Sequence, residues 1–164
     1  MLLVKNTISA VRRCDLENSD CEQLWLEITL NSKVTGPSWF IMTTDDQLCH
    51  LQNSLECLRD CDSCILGGDF NIPEIDWESS APSRSSARAN LLCNIVLQFS
   101  LFQLVHEPTR GANILDLVLT NDKNTLRNVS VVDGIPGSDR DGFRFEVILR
   151  SSYSLTQNQV SSGL

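Results

Sequence analysis

The sequence lacks an excess of cationic residues, and it lacks any apolar run near the ~20 residues that a membrane-spanning helix needs. Its 13 lysines and arginines are outnumbered by 21 aspartates and glutamates, which gives a formal net charge of -8. No general basic field is available to hold a polyanion, so binding of DNA or RNA would depend on a local cationic face or on metal ions. The first residues do not form a secretory signal. These absences predict an intracellular protein, nuclear or cytoplasmic, that has no membrane partner.

The length and the cysteine pattern narrow the class of protein further. A chain of 164 residues with 41% hydrophobic content can form one compact domain with a real core. Seven cysteines are an odd number and have no framework spacing, so reduced thiols are expected. Cys61 and Cys64 have C-x-x-C spacing, but a structural zinc needs two further ligands and none is evident. Residues 151–164 are uncharged and rich in Ser and Gln, which predicts a disordered tail after a domain at residues 1–150.

Apolar periodicity predicts two helices in a chain that is otherwise rich in strands. Residues 45–59 place leucines at helical spacing behind a Thr44/Asp45 cap, and residues 87–99 place apolar side chains on one helical face. Short apolar or alternating runs between turn residues predict strands. The strands are expected at residues 24–30, 63–66, 102–105, 114–120, 129–132 and 143–149. The pattern therefore predicts an α/β fold in which helices cover a strand-rich core.

The most informative segment is residues 65–78, ILGGDFNIPEIDWE. An apolar strand is followed by two glycines that let the backbone bend, and alternation then predicts Asp69 and Asn71 on one side and Phe70 on the other. A polar pair at a strand end favours a functional site. Asp and Asn near glycine also commonly cap or turn a chain, and this alternative stays open. Trp77 is expected to be an apolar packing anchor for the loop.

Gly-Asp-Phe-Asn followed by Ile-Pro-Glu-Ile-Asp-Trp resembles the endonuclease/exonuclease/phosphatase superfamily, and within it the endonuclease domain of non-LTR (LINE-like) retrotransposons. Residues 2–149 look like the later two thirds of that domain. The resemblance implies a two-layered β-sandwich flanked by helices, truncated at its N-terminus so that the first sheet is incomplete. It also implies magnesium-dependent nicking of DNA phosphodiesters that primes reverse transcription. Mg²⁺ is the implied cofactor, and DNA and a reverse transcriptase domain of the parent polyprotein are the implied partners.

The same resemblance assigns roles to individual residues. Asp69 and Asn71 match the family's residues beside the scissile phosphate, where they orient it and assist the leaving group. Pro-Thr-Arg followed by an aspartate inside an apolar strand resembles the next signature, so Thr109 and Arg110 would contact substrate and Asp116 would be an active-site acid. For Asp116 a purely structural carboxylate, satisfied by backbone donors or by Arg110, is the alternative.

The third family signature is Ser-Asp-His, and here the chain departs from it. Asp139 matches the aspartate, but Arg140 stands where the family has the histidine that acts as general base. Arginine stays protonated and has no lone pair to accept a proton, so Arg140 can bind a phosphate but cannot replace that base. An ordinary ion pair in a turn is the other interpretation of Asp139 and Arg140.

Two further departures concern metal and substrate. The family's metal-binding glutamate, with an asparagine before it, belongs to segments upstream of the part that matches Leu2, so no residue of this chain is assigned as a metal ligand. Residues 38–43 read SWFIMT where the family has a strand ending in Tyr-Arg-Pro-Pro. The remaining histidines, His50 and His106, are expected to be structural. We therefore expect a retrotransposon-derived endonuclease domain without nuclease activity. The alternatives are a non-catalytic remnant that binds nucleic acid or a protein partner, and a pseudogene product without function.

Overall fold

The fold was established from a computed structural model, which describes residues 9–20, 23–29, 38–42, 48–58, 63–79, 81–82, 86–132 and 142–147. The strands are β1 Ser9–Arg12, β2 Leu26–Thr29, β3 Ser38–Met42, β4 Cys64–Asp69, β5 Ile75–Asp76, β6 Ala81–Pro82, β7 Phe102–Gln103, β8 Asp116–Thr120, β9 Leu126–Val132 and β10 Gly142–Val147. The helices are α1 Leu48–Cys57 and α2 Ala87–Gln98, with a short 3₁₀ turn at Cys14–Leu16. In these residues no helix is both long and apolar enough to cross a membrane.

The central element is a six-stranded sheet in the order β1-β2-β3-β4-β8-β7. β3 and β4 pair in parallel, and the other neighbours in this sheet pair antiparallel. A parallel pair needs a crossover connection, and α1 lies between β3 and β4 in the chain. β9 pairs with β10, and β5 pairs with β6, in separate two-stranded ladders. This mixed arrangement confirms the predicted α/β class.

One face of the sheet packs against the two helices. Alternate residues of the central strands, among them Leu66, Leu117 and Leu119, are buried in one cluster with apolar side chains of α1 and α2. The leucines that the sequence placed on one face of the first helix are all buried, and so are Leu92 and Ile95 of α2. Burial of these helical faces is the dominant favourable term that holds the helices to the sheet.

The opposite face of the sheet has a smaller core of its own. Ile65 and Val118 point to this side, where they are buried together with Val105 and Leu126. Half-buried side chains of β9, Val129 and Val131, pack against them. Because successive residues of a strand point to opposite faces, β4 and β8 contribute to both cores at once. The central strands are thus covered on both faces, which is the layered arrangement that the sequence predicted.

The ends of α2 follow standard capping chemistry. Ser86 precedes the helix and its side chain accepts a hydrogen bond from the Ala89 N–H at 3.3 Å. After the helix Ser100 has φ of 52°, its N–H donates to Leu97 O at 3.2 Å, and the Leu101 N–H donates to Val96 O at 2.8 Å. This is the Schellman pattern of helix termination. The predicted helix at residues 87–99 is therefore confirmed, one residue shorter.

Other predictions fall partly outside the described residues. The helix predicted at residues 45–59 is described as α1, and its predicted cap at Thr44 and Asp45 lies outside the described residues. Alternation in the strand predicted at residues 24–30 places Leu24, Leu26, Ile28 and Leu30 on its buried face. This is wrong in part, because Ile28 is buried but Leu24 and Leu26 are only half-buried, while Trp25 is fully buried. Trp25 lies before the first residue of β2, so the alternation of that strand does not fix its direction. The predicted tail at residues 151–164 also lies outside the described residues.

Candidate functional site

Two carboxylates lie where the central strand β4 ends and its neighbour β8 begins, at the edge of the six-stranded sheet that runs across the strand ends. Asp69 is the last residue of β4 and Asp116 is the first residue of β8, and the antiparallel register places them directly opposite each other. Residues paired in this way have Cβ atoms about 4.5–5.5 Å apart. The Asp69 side chain is only 8% exposed, and Asp116 is half-buried. The fold therefore joins two of the predicted site acids across one strand pair.

Arg110 brings a positive charge to this edge. Its Nη2 atom lies 3.5 Å from Asp69 Oδ2, and the side chain is 46% exposed. Arg110 opens a tight turn that Asn113 closes, with backbone hydrogen bonds of 3.1 Å in both directions, and Gly111 in the turn has φ of 62°. That left-handed conformation is one that glycine adopts without steric cost. The turn thus holds a solvent-accessible guanidinium beside a nearly buried carboxylate.

Thr109 holds the start of β8 in place. Its side chain is buried, and Oγ1 accepts hydrogen bonds from the backbone N–H groups of Leu115 and Asp116, each at 3.0 Å. The Thr109 N–H donates to Asn113 O at 2.9 Å. A hydroxyl has two acceptor lone pairs, and both are accounted for by these two donors. Thr109 therefore positions the backbone that carries Asp116, and its predicted contact with substrate stays a prediction.

Asn71 departs from the alternation that the sequence predicted. β4 ends at Asp69, Phe70 is buried, and Asn71 has φ of 48° with an exposed side chain. The N–H groups of Phe70 and Asn71 both donate to Leu115 O, at 2.9 and 3.3 Å. The backbone therefore turns at Asn71 in the left-handed region, where asparagine is one of the few tolerated side chains. The backbone turn, rather than strand alternation, therefore sets the direction of the Asn71 side chain, and its predicted place on the side of Asp69 stays a prediction.

Arg88 is a cationic residue near the site that the sequence analysis did not single out. It lies in the first turn of α2, and its guanidinium donates to Phe70 O at 2.8 Å and to Asn71 O at 3.4 Å. These bonds tie the helix to the backbone turn after β4. Nothing in the local pattern of α2 indicates this contact, because it joins segments that only the tertiary fold brings together.

The remaining predicted residues divide between described and undescribed parts of the chain. Asp139 and Arg140 lie outside the described residues. His50 Nδ1 lies 2.8 Å from Asn18 Nδ2, which supports its predicted structural role. His106 is exposed and lines a surface groove. Trp77 is half-buried and packs against the helix-side core, as predicted.

The layered α/β architecture is that of an endonuclease/exonuclease/phosphatase-like fold. Residues 30–140 match a family model described as endonuclease-reverse transcriptase, and the chain belongs to this family. A solved structure, the endonuclease domain of TRAS1, a telomere-specific non-LTR retrotransposon, shares the fold with a TM-score of 0.65 at 12% sequence identity. The similarity covers 90% of this chain and 72% of that one. No curated protein matches the sequence. The family resemblance stated from the motifs is thereby confirmed.

Proposed function

We propose that the chain is an endonuclease-type domain of a retrotransposon protein, and that its Asp69/Asp116 edge receives a phosphodiester of DNA. The observation that carries the proposal is the register that sets Asp69 opposite Asp116, with the Arg110 guanidinium on Asp69. A partly exposed guanidinium can bind a phosphate oxygen through two parallel N–H donors. The parent protein of such a domain is expected to carry a reverse transcriptase, as the description of the matching family indicates.

Asp69 and Asp116 are also candidate ligands for the magnesium ion that the family implies. Within the described residues no group of three His, Cys, Asp or Glu side chains could hold a metal. Mg²⁺ is, however, commonly bound by one or two carboxylates together with substrate phosphates and water. Asp69 and Asp116 fit that partial role, and a bound Mg²⁺ would supply charge neutralisation at the phosphate. The chain's own contribution is to hold the two carboxylates side by side.

Phosphodiester hydrolysis needs a base to take a proton from the attacking water, and Arg140 cannot act as one. Loss of a general base typically lowers a rate by ~10²- to 10⁴-fold. We therefore propose that this chain binds DNA at Asp69 and Asp116, where the family cleaves its substrate, but does not hydrolyse the phosphodiester above the background rate. Arg140 would favour phosphate binding over proton transfer, since its charge does not change at physiological pH.

Binding and nicking are tested separately on the purified chain. Fluorescence anisotropy with a labelled duplex of about 20 base pairs, at low salt and in millimolar Mg²⁺, should show binding that weakens several-fold in Arg110→Gln. One fewer phosphate contact should also reduce the slope of log K against log salt by about 1. Glu56→Gln is the matched control, because Glu56 is an exposed acid on α1 that bonds Gln98 rather than the site. Equal affinity of Arg110→Gln and wild type would contradict the proposed site.

Supercoiled plasmid in millimolar Mg²⁺ tests the predicted inactivity. We expect no nicking above background from the wild-type chain. Nicking that is abolished by Asp69→Ala and retained by Glu56→Gln would show that the site is catalytic as it stands, and the proposed inactivity would then be wrong.

A further inference from the structure

The peptide group between Phe70 and Asn71 is held from both sides, just after the strand that carries Asp69. Its carbonyl oxygen accepts a hydrogen bond from Arg88 Nη2 at 2.8 Å, and its N–H donates to Leu115 O at 3.3 Å. Arg88 Nη1 also donates to Asn71 O, over a longer distance of 3.4 Å. The guanidinium of Arg88 thus contacts the two carbonyls that flank the dihedral angles of Asn71.

Arg88 reaches this turn from a helix whose position is fixed by the core. Its neighbour Ala89 is fully buried, and so is Leu92 in the next turn of α2. The Ala89 N–H also donates to the side chain of Ser86, which caps the helix. Arg88 itself is half-buried, whereas the side chain of Arg110 is 46% exposed. The Arg88 guanidinium therefore acts on the turn from a rigid element, which is how a supporting residue holds a site residue in place.

The backbone of Asn71 needs such support, because its φ of 48° lies in the left-handed region. Residues with a Cβ atom occupy that region rarely, and asparagine tolerates it better than most. An uncommon backbone conformation persists when the surrounding structure holds the residue in it. Hydrogen bonds from a guanidinium are charge-assisted and about twice as strong as those between neutral groups. The bonds from Arg88 are therefore suited to keep Asn71 in this conformation.

We propose that Arg88 is a positioning residue, which holds Asn71 in the conformation that binds a DNA phosphate. This inference rests on the proposed function of the Asp69/Asp116 edge and on the predicted contact of Asn71 with phosphate. Arg88 acts through the protein backbone and makes no contact with DNA. Without its guanidinium the turn populates other conformations, and the apparent dissociation constant rises by the reciprocal of the fraction that stays competent.

Fluorescence anisotropy with the same labelled duplex, in millimolar Mg²⁺, tests the role of Arg88. Arg88→Gln should weaken binding about fivefold, as expected when most of the population leaves the competent conformation. The slope of log K against log salt should stay that of wild type, because no phosphate contact is lost. In an Asn71→Ala background, Arg88→Gln should have little further effect on affinity, since the two residues act as one unit.

Arg127→Gln is the matched control, because it removes the same charge from an exposed position on β9. Thr125, just before β9, has its hydroxyl 3.0 Å from that of Ser63, which precedes β4 at the end opposite Asp69. Arg127 therefore lies at the other end of the central strand from the site. This variant should bind DNA as wild type does.

Nuclear magnetic resonance gives a second readout that needs no DNA. In a chain with isotopically labelled asparagine, the amide and Cα signals of Asn71, assigned by their loss in Asn71→Ala, report its backbone conformation. Arg88→Gln should shift these signals and Arg127→Gln should not. Arg88→Lys keeps the charge but lacks the fork that reaches two carbonyls, so it should also shift the Asn71 signals and weaken binding, though less than Arg88→Gln.

Circular dichroism melts confirm that each variant is folded, and Arg88→Lys carries both measurements if Arg88→Gln does not fold. Unchanged affinity on replacement of Arg88, or a full additional loss in the Asn71→Ala background, would overturn the inference. A salt slope that falls by about 1 in Arg88→Gln would show a direct phosphate contact and would overturn the positioning role. A wild-type chain that does not bind the duplex would overturn the proposed function, whereas unchanged Asn71 signals in Arg88→Gln would overturn this inference alone.

Discussion

Thr109 shows how a residue expected to touch substrate can serve the backbone beside it. Its hydroxyl accepts hydrogen bonds from the N–H groups of Leu115 and Asp116, and Asp116 is the first residue of β8. Asn71 makes a related point, since its left-handed φ of 48° ends the strand alternation. At the residue scale, the site depends on a hydroxyl and a backbone dihedral angle that fix where β4 ends, at Asp69, and where β8 begins, at Asp116.

Thr109→Val should be clearly destabilising, because it keeps the shape of the side chain but removes the acceptor of two backbone N–H groups. Each amide left unpaired in the interior costs about 1–3 kcal/mol, so we expect a loss of about 2 kcal/mol or more in the free energy of unfolding. Urea denaturation followed by circular dichroism measures it. Thr109→Ser keeps the hydroxyl and should lose much less. Equal losses in the two variants would show that packing of the methyl group, rather than the hydrogen bonds, matters at this position.

The first two strands are joined by ion pairs as well as by their ladder. Arg12 donates to the Glu17 carboxylate at 2.8–3.2 Å, Glu17 Oε1 also accepts the Trp25 N–H at 3.2 Å, and Arg13 bridges Asp15 and Glu27. The Glu17 side chain is 13% exposed, so it is shielded from solvent more than a typical surface pair. The element β1 is therefore tied to the segment before β2 by a carboxylate that also satisfies a backbone donor.

Acid should weaken this connection. The hydrogen bond from Arg12 lowers the pKa of Glu17 in the folded chain, so its stabilising effect is fully present above the ordinary glutamate pKa of about 4.3 and is lost as pH falls through the lower folded value. Glu17→Gln should consequently lower the melting temperature at pH 7 and change it little near pH 2.5. Thermal melts at both pH values measure the difference. Exposed Glu107→Gln is the control, and a Glu17→Gln effect of equal size at both pH values would exclude a role of the charge.

At the scale of the whole molecule, the outermost strands of the described six-stranded sheet are β1 and β7. All four residues of β1 are exposed, and Val11 is 55% exposed. An accessible edge strand with an apolar side chain is a template for pairing with another chain. The exposed residues of β1 therefore predict a definite surface for self-association.

Self-association should therefore depend on β1. Light scattering over a range of protein concentrations should show dimers or larger species for wild type and a shift towards monomer for Val11→Lys, because a charge on an edge strand opposes pairing. Leu97→Lys on α2 is the matched control, since Leu97 is 75% exposed but lies on a helix. A monodisperse wild-type monomer would contradict the prediction, and an equal effect of Leu97→Lys would show that general surface hydrophobicity is responsible.

Local pattern determined the helical faces of α1 and α2, the buried start of β4 and the family of the chain, because these depend on spacing between near neighbours and on a short motif. The tertiary structure alone decided that Asp69 lies opposite Asp116 and that Arg88 holds the turn after Phe70. Pairing register between strands that are distant in the chain is set by burial of both sheet faces and by the turn that Thr109 anchors. No periodicity within either strand encodes that register, which is why the site acids could be named from the sequence but their arrangement could not.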